Sequence, residues 1–182
     1  MLTLVLGGAR SGKSRYAQSL CSDVKDVVVL ATARAEDEEM QARIERHRAE
    51  RPQEWKTMEE PLAVVRAVRE LDPGATVLLD CVTNWLANLA WEHRTLGEEA
   101  RRERILAEVT ELAQAAGERN VVAVSNEVGS GIVPENEVGR SFRDLQGMAN
   151  QLLAREAGHV VLMVAGLPMP LKVSGTVSGT AT

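Results

Sequence analysis

Leu2-Thr3-Leu4-Val5-Leu6-Gly7-Gly8-Ala9-Arg10-Ser11-Gly12-Lys13-Ser14 opens this 182-residue chain and decides how the rest is read. Leu2–Leu6 is nearly continuous in apolar residues, which predicts a strand buried on both faces. Gly7 to Ser14 fits G-x-x-x-x-G-K-[ST], the phosphate-loop pattern. Glycines let the main chain fold around an anion without side-chain interference. The successive N–H groups then point inward at the start of a helix. Lys13 brings a mobile positive charge to the β and γ phosphates, and Ser14 offers a hydroxyl to Mg²⁺. The pattern needs a strand before it and a helix after it, and Ser14–Ser22 has helical spacing. The plain alternative is a glycine turn that holds no ligand.

The same grammar recurs along the chain. Short runs rich in Val and Leu stand at Val27–Thr32, Thr76–Asp80, Val121–Ser125 and His159–Ala165. Between them, Glu36–Arg51, Pro61–Leu71, Thr83–His93, Leu96–Gly117 and Gly139–Gly158 show helical spacing. In the last, Phe142, Leu145, Met148, Ala149, Leu152 and Leu153 mark one face at steps of three and four. Strands alternating with helices imply parallel βαβ units and a doubly wound α/β sheet. No linker divides the chain, so one domain over residues 1–172 is expected. The Gly/Ser/Thr-rich tail 173–182 reads as a short edge strand or a frayed end.

Composition narrows the class. Hydrophobic residues make up 45% and charged residues 26%, which suits a globular chain. The net charge of −5 argues against a general nucleic-acid binder, and one Phe, one Tyr and three Trp leave little for base stacking. No apolar run approaches a membrane span, and the start lacks the form of a signal peptide. Cys21 and Cys81 have no partner pattern and read as reduced core thiols of a cytoplasmic protein.

Asp80 stands at the carboxyl end of an apolar run, where ligands gather in such sheets. It is a candidate Mg²⁺ ligand with Ser14. The alternative makes Asp80 or Thr83 an N-cap of the next helix. His47 lies in Arg43-Ile44-Glu45-Arg46-His47-Arg48-Ala49-Glu50-Arg51, four arginines within nine residues. On a helix, Arg43 and Arg51 share its face. One reading is a half-buried histidine at the edge of an apolar stripe with Met40 and Ile44. The other is a nucleophile or phosphate ligand. Nearby guanidinium groups favour a neutral ring, while the helix end at Arg51-Pro52 favours a charged one. His93 and His159 read as structural. Glu127 is either a general base or a loop anchor.

Taken together, these residues resemble the bifunctional adenosylcobinamide kinase / adenosylcobinamide-phosphate guanylyltransferase family of cobalamin biosynthesis. The resemblance rests on Gly7–Arg15, Ala31-Thr32-Ala33, Glu39-Met40 with Arg43-Ile44 and His47, Arg51-Pro52 with Trp55, and Leu79-Asp80-Cys81. It continues through Asn126-Glu127-Val128-Gly129, Gly131-Ile132-Val133-Pro134-Glu135-Asn136 and Phe142-Arg143-Asp144. It implies a three-layer RecA-like P-loop fold with a mainly parallel sheet, and a homotrimer. It implies phosphorylation of a corrinoid small molecule by a nucleoside triphosphate (ATP or GTP), then transfer of GMP from GTP through a GMP-histidine. His47 is the implied nucleophile, with Lys13 catalytic beside it. Nucleotide contacts are implied at Gly7, Gly8, Ala9, Arg10, Ser11, Gly12, Lys13 and Ser14. Further ones are Ala31, Thr32, Ala33, Arg48, Ala49, Glu50, Arg51, Glu59 and Asp80. Two other readings stay open: a P-loop kinase with a single reaction and no covalent step, and a GTP-sensing module that signals to a partner without turnover.

Overall fold

The computed structural model describes residues 1–35, 38–49 and 51–173; the side chains of residues 39, 40, 43 and 44 are left aside. The elements run β1 (Leu2–Gly7), α1 (Lys13–Ser19), β2 (Val27–Ala31), α2 (Glu38–Ala49), β3 (Lys56–Glu59), α3 (Val64–Glu70) and β4 (Thr76–Asp80). Then come α4 (Val82–Glu92), α5 (Glu98–Gly117), β5 (Asn120–Asn126), α6 (Glu137–Glu156), β6 (His159–Val164) and β7 (Leu167–Lys172).

All seven strands form one sheet in the order β3-β2-β4-β5-β1-β6-β7. Every pairing is parallel except β6 with β7, which is antiparallel. β5 therefore lies between the phosphate-loop strand and the strand that ends in Asp80. The interior strands are the apolar runs read from sequence, buried on both faces.

Alternating side chains divide the core in two. Leu2, Leu4, Leu30, Leu79, Val121 and Ala123 face α3, α4, α5 and α6, with Trp85, Ile105, Leu112 and Leu153 filling the layer. Val5, Val29, Leu78, Val122 and Val161 face the other way, against Ala17 of α1, Cys21 and Trp55. Helices on both faces of the sheet complete the three layers.

β3 and β7 were not expected as strands. β3 is the polar Lys-Thr-Met-Glu, mostly exposed. β7 carries Pro168 and Pro170, which withhold ladder donors and suit an edge. Both lie at the rims of the sheet, where burial does not impose an apolar pattern. Residues 174–182, nearly all of the tail read as an edge strand or a frayed end, fall outside the described residues. Among the described residues, no helix is long and apolar enough to cross a membrane.

Candidate active site

The parallel strands direct their carboxyl ends to one edge, and the sequence candidates gather there. Gly7 closes β1, paired with Asn126 of β5 and Met163 of β6. A Cβ on Gly7 would stand 2.4 Å from Ser11 Oγ and 3.0 Å from the Met163 carbonyl oxygen, so only glycine fits. Gly12 takes φ +92° at the start of α1, a left-handed conformation that glycine holds without strain. Lys13 Nζ donates to the Gly8 carbonyl at 3.1 Å, and the Gly166 amide of the β6–β7 turn donates to the Ser11 carbonyl at 3.0 Å. The loop is thus held from inside and from the neighbouring turn.

Lys13 and Ser14 open onto a cavity of about 380 Å³, a size typical of small-molecule sites. The same cavity is lined by Ala31 and Ala33 after β2, by His47 and Arg48 of α2, and by Arg51, Glu59 and Asp80. Residues separated by 34 positions, Lys13 and His47, therefore share one wall-to-wall space. His47 lines this space and is half-buried, its side chain 32% exposed.

Asp80 is the electrostatic centre. Arg51 Nη2 donates to Asp80 Oδ2 at 3.1 Å, and His47 Nδ1 stands 3.8 Å from the same oxygen. Burial alone would raise the Asp80 carboxyl, but the His47 ring and the Arg51 guanidinium outweigh it and hold its pKa below the ordinary carboxylate value. α2 ends at Ala49, so Arg51 lies beyond the helix that carries His47, and its amide donates to the Arg48 carbonyl at 3.3 Å. Its side chain is 9% exposed, and its Nε is buried without a hydrogen-bond partner. Arg48 approaches Glu59 at 3.9 Å on the exposed rim.

Several expectations change. Thr32 does not line the cavity: its side chain is wholly buried. Its hydroxyl donates to the Cys81 carbonyl at 2.7 Å and accepts from the Cys81 amide at 2.9 Å, tying β2 to the end of β4. Ala49 lines a neighbouring groove with Pro52 and Trp55 instead. Glu50 lies outside the described residues. Gly7, Gly8, Ala9, Arg10, Ser11 and Gly12 form the loop that leads into the lining residues Lys13 and Ser14. Neither Asp80 nor Thr83 caps α4, whose N-cap is Cys81. The Thr83 hydroxyl instead accepts from the Asn126 amide at 2.9 Å. Glu127 is an anchor: its carboxylate accepts from the Gly129 amide at 2.7 Å and the Ser130 amide at 3.3 Å. Cys21 and Cys81 are free and buried, and burial pushes each thiol up to about 11.

Sequence reading missed Gln41, Thr57, Asn84 and Asn126 among the lining residues. Asn84, four positions after Asp80, and Asn126, at a strand end, carried the positional signal. Beneath the floor lies a polar lattice that no motif announces. Asn88 donates to the Thr32 and Pro61 carbonyls at 2.8 and 3.0 Å. Gln146 donates to Ser125 Oγ, Ser125 to Asn150 Oδ1, and Asn150 to the Asn126 carbonyl.

The chain resembles known proteins over nearly its whole length. It is 41% identical over 181 residues to the bifunctional adenosylcobalamin biosynthesis protein CobU of Escherichia coli, covering 94% of this chain and all of that one. It is 44% identical over 174 residues to the bifunctional adenosylcobalamin biosynthesis protein CobP of Pseudomonas aeruginosa, covering 94% and 98%. Among solved structures, the P4 protein of bacteriophage phi6 in complex with ADP is 13% identical, with a TM-score of 0.44 over 92% of this chain and 52% of that one. The model of one family matches residues 3–171, and the chain belongs to that family, cobinamide kinase / cobinamide phosphate guanyltransferase.

Proposed function

We propose that this protein phosphorylates cobinamide with a nucleoside triphosphate, ATP or GTP, and then transfers GMP from GTP through His47 to cobinamide phosphate. The observation that carries this reading is the single cavity shared by Lys13, Ser14, His47, Arg51 and Asp80. A P-loop kinase alone has no need of a histidine facing its lysine.

The loop amides and Lys13 hold the triphosphate and offset its charge; most of phosphoryl-transfer catalysis is such positioning and electrostatics. The carboxylate of Asp80 lies on the Nδ1 side of His47 and favours the proton there, which leaves the Nε2 lone pair for attack. Nε2 bonds to the α phosphorus of GTP as the bond to pyrophosphate breaks. A phosphate oxygen of cobinamide phosphate then displaces the histidine nitrogen and takes the GMP. Covalent catalysis thus divides one difficult displacement into two easier ones. Arg51 lines the same cavity, and a guanidinium is suited to phosphate oxygens.

Ser14 and Asp80 line the same cavity and offer the hard oxygen donors that suit Mg²⁺, which supplies charge neutralisation at the phosphates when bound. Asp80 is meanwhile paired with Arg51, so a metal role requires that pair to loosen. A cytoplasmic location and a homotrimer belong to the same reading; the two buried free thiols support a reducing compartment.

Incubation with α-³²P-GTP and Mg²⁺ tests the covalent step. Wild type should form an acid-labile, alkali-stable GMP adduct, and His47→Asn should bind GTP yet form none. Equal labelling of both proteins rules His47 out as nucleophile. Tight GTP binding with neither adduct nor phosphorylated acceptor would favour the sensing module instead.

A further inference from the structure

We propose that the loop joining β5 to α6, residues 127–136, is the platform on which the corrin ring of the acceptor lies. Ile132, Val133 and the adjoining Val138 of α6 would meet the ring's methyl-bearing face. This rests on the reading above that the acceptor is a cobinamide.

Size is the first consideration. The cavity of about 380 Å³ must already take the triphosphate. A corrin macrocycle with its amide arms is too large to join it. The ring therefore lies outside, on the carboxyl edge of the sheet, with one hydroxyl-bearing arm reaching in.

Position is the second. The loop leaves β5 at Asn126, which lines the cavity, and the Glu127 amide donates to the Gly7 carbonyl at 3.0 Å. The far end of α6 returns to the opposite edge, where the Gly158 amide donates to the Leu2 carbonyl at 2.9 Å. The start of α6, and the whole loop before it, therefore stands at the edge that holds the phosphate loop.

The third is the character of the loop. Ile132 is 97% exposed, Val138 79% and Val133 58%. Branched aliphatics so exposed, on a loop that leaves the cavity wall at Asn126, offer a surface for apolar contact. They stand on a braced frame. Besides the Glu127 anchor, Arg143 of α6 donates to the Gly129 carbonyl at 2.6 Å. Arg140 donates to the Pro134 and Glu135 carbonyls at 3.0 and 2.5 Å. Asn136 Oδ1 accepts from the Gly139 amide at 2.6 Å. A Cβ on Gly139 would meet Pro134 at 2.9 Å, so the loop packs directly on the helix. The aliphatic tips are thus preorganised, and little ordering entropy opposes binding. Glu135 and Glu137, both exposed among them, add negative charge that suits a cobalt corrin carrying net positive charge.

The test is the double variant Ile132→Ser/Val133→Ser, which removes the apolar contact without changing the loop's charge, compared with wild type in three measurements. With γ-³²P-ATP, the KM for cobinamide should rise roughly tenfold or more, a decade for each ~1.4 kcal/mol of lost contact. The KM for ATP should not move. GMP labelling by α-³²P-GTP without corrinoid should equal wild type, and the molar mass by light scattering should be unchanged. An unchanged cobinamide KM overturns the placement. So does a change of molar mass, which would make the loop an interface between copies of the chain, and so does loss of GMP labelling, which would make it a support of the nucleotide site. Wild type that phosphorylates no cobinamide would instead sink the functional reading itself.

Discussion

Arg51→Met should destabilise the protein by about 2–4 kcal/mol at pH 7. Removing one partner of a buried ion pair costs about 3–5 kcal/mol, because the other charge is left without compensation. Arg51 is 9% exposed and Asp80 15%, so both qualify as nearly buried. Asp80 also faces an open cavity, so water recovers part of that cost. A separate bound agrees: protonating a carboxyl of ordinary pKa ~3.9 at pH 7 costs about 4 kcal/mol, and the stranded group escapes by that route when charge is dearer. For a chain of this size, each kcal/mol moves the melting midpoint roughly 2–4 °C, giving a fall of about 5–15 °C. The pH dependence has a definite sign. The folded pKa of Asp80 is depressed, so its stabilisation is full above the unfolded value of ~3.9 and is lost as pH falls through the lower folded value. The gap between wild type and variant should therefore be wide at pH 7 and shrink as pH falls below about 4 toward that lower folded value. Thermal unfolding followed by circular dichroism, with Asp80→Asn and the double variant, closes the cycle; a coupling of roughly 2 kcal/mol is expected. A variant within about 1 °C of wild type at pH 7, strictly additive single changes, or a gap that widens as pH falls below about 4 would refute the account.

Two other outcomes follow from the same geometry. Gly7→Ala forces Ser11 and the Met163 carbonyl apart, so triphosphate affinity by calorimetry should fall at least tenfold while the sheet stays folded by circular dichroism. Cys81 and Cys21 should resist iodoacetamide at pH 8 in the folded protein and react promptly in urea, because burial holds both thiols near pKa 11; mass spectrometry reads the difference.

The parallel core was legible because strands buried on two faces must be apolar throughout, and Leu2–Leu6, Val27–Ala31 and Thr76–Asp80 have nothing else to be. β3 and β7 escaped because rim strands are released from that demand, so polar residues and prolines do not mark them. The partners of the Thr32 hydroxyl were not legible for a related reason. Its place at a strand end suggested a ligand contact, but the neighbouring chain end of β4 came close enough to take both functions of its hydroxyl. Glu127 kept two readings until the path of the loop set its carboxylate on two amides.

By itself, the order of residues determined the phosphate loop, the alternation of strands and helices, and the presence of a histidine among arginines, because local sterics and periodic burial act over a few neighbouring positions. Only the tertiary structure decided that His47 shares a cavity with Lys13, and that Arg51 meets Asp80. Which strand lies beside which is a contest among distant burials and pairings, and no short stretch of chain contains it.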